Sequence, residues 1–478
     1  MSMSGSPEAV LARYRRASDY INGLSEGSPT PRPDATPADI RARAILRVDR
    51  MRRFLDFAGN PQDRFHSVHV GGTSGKGSTA TFIAAILQAS GFRTGLHVSP
   101  YIQVETEKLI VNGKLLSAER FAGYVDELAE LLGRWYAAGG ERIGYGQSWV
   151  ALSYLALARE QVDFGVIEVG AGGRFDLTNV LTPDVSVITS IGLDHVRTLG
   201  GTIPEIAWHK AGIIKPGRPA VTTVTQPEAL AVIQEEAELQ HAPLTIISAG
   251  RDFEIVSTGD DGTEMLDKRT NHVFKTGLSG VFQAPNAAAA IAAARAIGDV
   301  PGGKVTQDSI ACGLRQARFA GRIEIVQEKP RVVLDGAHNP AKMGSLAESM
   351  KQLSQPRQRI LIFGSVESHD FSSTARVAAT IADEIIVTSP ALDWRSNADP
   401  ERLAEVFRQT TDKPVTAVDD PFDALSLALD RAGDQDEVLV TGSLYLIGKL
   451  RNHWYPADQI ILQQTMWPMW PETSCPAR

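Results

Sequence analysis

Cysteine is nearly missing from this sequence: Cys312 and Cys475 are the two among 478 residues. They lie far apart without metal-like spacing, so neither a disulfide framework nor a cysteine zinc site is expected, and both read as bystanders. Apolar runs long enough to cross a bilayer, about 20 residues, are missing as well, which argues against a helical membrane protein. A basic excess is also lacking. Lysine and arginine number 48 against 56 acidic residues, a formal net charge of -8, and they are scattered, which leaves no footprint for nucleic acid. Met1 to Pro7 is small and polar without the basic-then-apolar pattern of an export signal, so a cytoplasmic location is expected. No internal repeat is evident. What is present is an ordinary globular composition, 43% hydrophobic and 22% charged, and small-molecule substrates are expected.

A chain of this length exceeds the size at which one hydrophobic core usually stops growing, so two domains are expected. Short β-branched runs alternate with Ala-rich helical stretches, the pattern of a mainly parallel sheet covered by helices, and the fold class reads α/β. Strands are expected at His66–Val70, Thr94–Val98, Phe164–Val169 and Val185–Ile191, then at Arg331–Leu334, Ile360–Phe363, Glu384–Val387 and Val438–Val440. A helix is expected from Ser78 to about Ser90, closed by Gly91. Thr258–Lys268 reads as a hairpin turn, Asn286–Ile297 as an Ala-rich helix closing the first domain, and Ser28–Pro37 as a Pro-rich surface loop. The boundary is expected near residue 318, giving domains 1–318 and 319–478.

The chemistry centres on Gly71-Gly72-Thr73-Ser74-Gly75-Lys76-Gly77-Ser78. A strand, a glycine-rich turn, a lysine and then a helix point successive backbone N–H groups and a helix N-terminus at a phosphate. Lys76 would reach the terminal phosphates. The strict Walker pattern fails, because Val70 holds its first glycine position and Gly77 follows the lysine where Ser or Thr is expected.

This variant loop resembles that of the Mur ligase superfamily, and the residues around it resemble its folylpolyglutamate synthase and dihydrofolate synthase branch. The likeness runs in order through Ser99-Pro100, Glu168-Val169-Gly170-Ala171-Gly172-Gly173-Arg174, Asp176, Thr178-Asn179, Gly192-Leu193-Asp194-His195, Lys210-Ala211-Gly212-Ile213 and Asn286-Ala287. It continues through Gly321-Arg322, Asp335-Gly336-Ala337-His338-Asn339-Pro340 and Thr441-Gly442-Ser443-Leu444-Tyr445. The resemblance implies an N-terminal P-loop ATPase domain with a mainly parallel sheet and a smaller, Rossmann-like C-terminal ligase domain.

Read from chemistry alone, Glu168 and His195 lie at carboxyl ends of expected strands, where ligands bind in open α/β sheets. Mg²⁺ prefers oxygen ligands and keeps several waters, which suits Ser78 and Glu168. The resemblance implies two magnesium ions, one on Ser78 and Glu168 and a second shared by His195, Ser99 and Glu168. It implies ATP on Gly72, Thr73, Ser74, Gly75, Lys76, Gly77 and Ser78, with Asn286 near the nucleotide and Arg322 on its phosphates. Asp335 is assigned to the nucleotide or the incoming amino acid and His338 to the acyl-phosphate region. Lys210 matches a lysine that is carbamylated in similar enzymes. Catalytic roles are thus expected for Lys76, Lys210, Asp335 and His338.

The reaction implied is ATP-dependent addition of L-glutamate to a folate or dihydropteroate-like acceptor by a monomer, through an acyl phosphate. Several family positions differ. Ser74 and Tyr101 replace Asn and His, Thr106-Glu107-Lys108-Leu109 stands for Asn-Glu-Arg-Ile, Gly146-Gln147 for Phe-Glu, and Ser368-His369-Asp370 for Asp-Lys-Asp. Two other readings stay open: a ligase acting on a non-folate carboxylate, and a nucleotide-binding protein without ligase activity.

Overall fold

The computed structural model describes residues 6–25, 35–298, 303–367, 371–392 and 396–468. Cys475, Ser368-His369-Asp370 and most of the Pro-rich segment lie outside them. Cys312 is disulfide-bonded rather than a bystander thiol.

Eight strands form one sheet: β1 (His66–Gly71), β2 (Thr94–His97), β3 (Leu109–Val111), β4 (Lys114–Leu115), β5 (Phe164–Glu168), β6 (Val185–Ile188), β7 (Ala220–Thr222) and β8 (Leu244–Ile246). Their order is β4-β3-β2-β5-β1-β6-β7-β8. From β2 to β8 every pairing is parallel; β3 and β4 add an antiparallel edge. Strands buried on both faces need continuous apolar runs, and Val68, Val70, Val166, Ile167, Val185 and Val187 are all inaccessible to solvent. The helices Lys76–Ala89 and Tyr145–Arg159 are apolar nearly all round because they are buried nearly all round.

A second group comprises β9 (Phe253–Gly259), β10 (Gly262–Asp267) and β11 (His272–Lys275), a small sheet, and a six-stranded sheet. The latter holds β12 (Glu324–Glu328), β13 (Arg331–Leu334), β14 (Arg359–Phe363), β15 (Glu384–Val387), β16 (Val415–Ala417) and β17 (Glu437–Thr441), ordered β12-β13-β17-β14-β15-β16. All its pairings are parallel except β12 with β13.

The chain forms two compact units: Met1–Phe253 with Pro285–Gln316 and Asp458–Arg478, and Glu254–Ala284 with Ala317–Ala457. A single cut near residue 318 therefore differs from the packing. The small sheet joins the second unit because Arg331 is ion-paired with Asp260 and Val281 N–H donates to Ser349 Oγ at 3.1 Å. The last stretch returns to the first unit, where Arg15 pairs with Asp458 at 2.9 Å and Leu115 N–H donates to Gln464 O at 3.0 Å. No helix among the described residues is long and apolar enough to cross a membrane.

Candidate functional site

In the first unit the parallel register levels four strand ends. Val70 faces Glu168, Gly71 faces Ile188, and His97 faces Ile167. The loops leaving β1, β2, β5 and β6 therefore start at one edge, the carboxyl edge where α/β sheets bind ligands.

The phosphate loop is held from β6's side. Thr73 N–H donates to Ser190 O at 2.7 Å and Ser74 N–H to Ser190 Oγ at 2.9 Å. Thr189 Oγ1 donates back to Ser74 O at 2.6 Å. Gly75 takes φ +82°, a left-handed value that favours glycine, and a β-carbon there would overlap Asn286 Oδ1. Gly75 is thereby the start of the helix, which begins at Lys76 rather than Ser78 and has no side-chain cap. Its first-turn N–H groups are left for a ligand.

Around the loop, Lys76 Nζ lies 4.0 Å from Glu168 Oε1, with both side chains largely buried. Glu168 Oε2 accepts from Ser99 N–H at 3.1 Å, so the main chain of Ser99, not its hydroxyl, makes this contact. Ser78 is buried in the first turn. Lys210 is buried, and its Nζ donates to Gly72 O at 2.9 Å, so it sits against the loop rather than as a solvated surface lysine. His195 has a left-handed backbone at φ +51°, and its side chain is 55% exposed beside Asp194. Among the described residues no three His, Cys, Asp or Glu side chains gather in a metal-binding group.

Asp176 organises the glycine-rich loop after β5, its Oδ2 accepting from Ala171 N–H and its Oδ1 from Thr178 N–H, each at 2.9 Å. Gln147 caps its own helix and donates to Arg47 O at 3.0 Å. Lys108 is buried with Nζ 4.2 Å from the Trp149 ring centroid, 4.9 Å from Tyr145 and 5.2 Å from Tyr101. Burial lowers its pKa to about 8.

In the second unit, Asp335 follows β13 beside β17. It is buried, and burial raises its pKa, opposed by the Arg322 charge and by N–H bonds. Those bonds come from Ile323 to Oδ2 at 3.0 Å and from Ala337 to Oδ1 at 2.8 Å. Asp335 is therefore no helix cap; Asn339 is, its Oδ1 accepting from Lys342 N–H at 2.9 Å. His338 Nδ1 lies 2.8 Å from Gly336 O, an acceptor only, so Nδ1 carries the proton. Its Nε2 then accepts from Lys342 Nζ at 3.0 Å. Sequence reading passed over Lys342, although it lies one helical turn after His338.

The Mur ligase middle domain matches residues 70–294 and the Mur ligase glutamate ligase domain residues 321–444. Dihydrofolate synthase/folylpolyglutamate synthase of Bacillus subtilis (strain 168) is 36% identical over 414 residues, covering 84% of this chain and 94% of that protein. This chain belongs to the folylpolyglutamate and dihydrofolate synthase family. A second family member, folylpolyglutamate synthase of Lacticaseibacillus casei, is 34% identical over 84% of this chain and 93% of its own length. The structure of E. coli FolC in complex with DHPP and ADP superposes with a TM-score of 0.76 at 27% identity, covering 91% of this chain and 97% of that one. Mycobacterium tuberculosis folylpolyglutamate synthase complexed with ADP and AMPPCP gives 0.78 at 25% identity, covering 93% and 99%. The family's middle-domain match opens at Val70, where the phosphate loop leaves β1, and closes within the helix that carries Asn286.

Proposed function

We propose that this chain is an ATP-dependent amide ligase that adds L-glutamate to a folate, and to dihydropteroate, through an acyl phosphate. The observation that carries this is the buried pairing of Lys76 with Glu168 under a glycine-rich loop, in a chain of this family. Lys76, the loop amides and the helix N-terminus would bind ATP and offset charge on its transferring phosphoryl group, which passes to the acceptor carboxylate. Arg322, together with Asn286, is assigned to the nucleotide. The amine of glutamate then attacks the acyl carbon and phosphate leaves. Asp335 would hold the glutamate ammonium or the nucleotide, and His338 with Lys342 the anionic group opposite.

The residues fit magnesium: Glu168, Ser78 and Ser99 offer hard oxygen donors, the ligand type this cation prefers, and the Glu168 carboxylate lies beside Lys76 of the phosphate loop. We assign these three and His195 to hold it. Magnesium supplies charge neutralisation on the phosphates. Lys210 is proposed to act on the loop; carbamylation would exchange its donor to Gly72 O for an anionic carboxylate, and intact-protein mass after incubation in bicarbonate separates the two forms. A cytoplasmic monomer completes the reading.

Incubation with ATP, magnesium, glutamate and each pterin acceptor tests it. ADP release that depends on acceptor, with a glutamyl product by mass, is expected; ADP release indifferent to every pterin would sink the folate assignment. A ligase with a non-folate acceptor is the second reading, favoured by Tyr101 facing Lys108 and by Gln147, whose amide is committed to Gly144 and Arg47.

A further inference from the structure

Three consecutive peptide units of the phosphate loop are pinned by residues outside it. Across Gly72–Thr73, the carbonyl accepts from Lys210 Nζ at 2.9 Å and the N–H donates to Ser190 O at 2.7 Å. Across Thr73–Ser74, the N–H donates to Ser190 Oγ at 2.9 Å. Across Ser74–Gly75, the carbonyl accepts from Thr189 Oγ1 at 2.6 Å and from Ser190 Oγ at 3.0 Å. The Ser190 hydroxyl thus grips Ser74 twice, accepting from its N–H and donating to its carbonyl.

These bonds decide which amides can meet a phosphate. The N–H groups of Thr73 and Ser74 are already committed to Ser190. In a planar trans peptide the C=O and N–H point in opposite directions. The Ser74–Gly75 peptide is trans, so holding the Ser74 carbonyl towards Thr189 and Ser190 turns the Gly75 N–H away from them. The helix follows at once. Its ladder opens with Thr79 N–H donating to Gly75 O at 2.9 Å, and the N–H groups of Lys76, Gly77 and Ser78 precede that bond. Gly75–Ser78 is therefore a run of four N–H groups ahead of the ladder, the kind of arrangement that takes anionic oxygens.

A second observation shows how closely the chain after β6 approaches the loop. A β-carbon on Gly72 would lie 2.0 Å from Thr189 Oγ1, and Gly72 takes φ +143°, a value that favours glycine. Thr189 is itself tied down, its N–H donating to Gly71 O at 2.9 Å and its carbonyl accepting from Thr223 Oγ1. These contacts continue the pairing of β1 with β6 and of β6 with β7. We propose that Ser190 and Thr189 are positioning residues for phosphoryl transfer: their hydroxyls aim the Gly75 N–H at the terminal phosphates of the nucleotide and leave Gly75–Ser78 to read them. Neither residue needs to touch the nucleotide. Their role presupposes that the loop is the nucleotide site.

The test is calorimetric titration of the full-length wild type, Ser190→Ala, Ser190→Thr and Thr189→Ala proteins with ADP and with AMP. Loops of this kind cradle the β and γ phosphates, so AMP, which lacks both, reports on the rest of the site. Each alanine variant is expected to weaken ADP binding about tenfold, the size of a hydrogen bond, with AMP affinity unchanged. Ser190→Thr keeps the hydroxyl and should bind ADP like the wild type. In turnover, the alanine variants should raise KM for ATP and leave KM for glutamate alone. The two variants remove separate hydroxyls, so misfolding of one leaves the other to decide. Unchanged ADP affinity overturns the proposal. So does equal weakening of ADP and AMP, which means loss of structure rather than of aim, or a Ser190→Thr protein as weak as Ser190→Ala. A wild type that binds ADP no better than AMP overturns the loop assignment itself, and the positioning role with it.

Discussion

Asn286 Oδ1 occupies the space that a β-carbon on Gly75 would need, so a side chain in one helix dictates a glycine at the start of another. Gly75→Ala adds left-handed strain of about 1–2 kcal/mol to this overlap. Nucleotide affinity is expected to fall at least about tenfold, since the loop N–H groups turn away. Gly75→Ala combined with Asn286→Ala should recover part of that loss, a coupling of roughly 0.5–3 kcal/mol. Calorimetric ADP binding to the four proteins measures it, and strictly additive losses would disprove the contact.

Lys76→Ala should lower nucleotide-dependent turnover by about 100-fold or more, the usual cost of removing a group aimed at developing charge. Glu168 keeps its Ser99 N–H, so the fold should persist. ADP release beside a thermal melt checks both halves; retained turnover would show that the loop is not the nucleotide site.

Asp335→Asn replaces one oxygen by an NH₂ group that must face the N–H of Ile323 or of Ala337. Two donors then meet, at a cost of roughly 1–3 kcal/mol. Urea unfolding should move by that amount, and glutamate-dependent turnover should fall further than the stability loss alone would cause. An unchanged urea midpoint would show that the two N–H bonds contribute little.

His69 and His97 are buried and burial lowers both pKa values to about 3, with nearby cationic groups adding to the shift. A depressed folded-state pKa means that the unfolded chain takes up protons first, so stability is full above about pH 6.5 and falls as pH drops. From pH 7 to pH 5 each histidine should remove about 2 kcal/mol. Urea titrations of the wild type and of His97→Gln check the sign: the variant should lose less over that interval. An identical pH slope would show that His97 does not carry this linkage.

Much of the fold was legible because parallel strands buried on both faces must be continuous apolar runs, as Phe164–Val169 and Ile360–Phe363 are. Strands of three residues, such as Ala220–Thr222 and Leu244–Ile246, carry too few positions for a period and escaped notice. The phosphate loop announced itself through glycine spacing and Lys76. What holds the loop did not: Thr189 and Ser190 act through main-chain oxygens and hydroxyls of ordinary residues, brought near only by the β1–β6 register. His195 was read at a strand end; β6 stops at Ile188, and the left-handed turn at His195, with its side chain about half exposed, is a local geometry that a strand pattern does not reveal. The cut expected near residue 318 lies beside the passage from Gln316 to Ala317 between the units, but a strand pattern does not reveal that Glu254–Ala284 packs with the second unit and the stretch from Asp458 with the first.

That division of the chain into two interleaved units also has a consequence on the ribosome. Gly75 emerges long before Asn286, and the strand Lys114–Leu115 long before Gln464, whose carbonyl receives the Leu115 N–H. Domains usually fold in the order in which they are made. Here the first unit cannot be completed until the whole of the second has been synthesised, so the nascent nucleotide-binding half must wait, partly built, for its own last turn of chain.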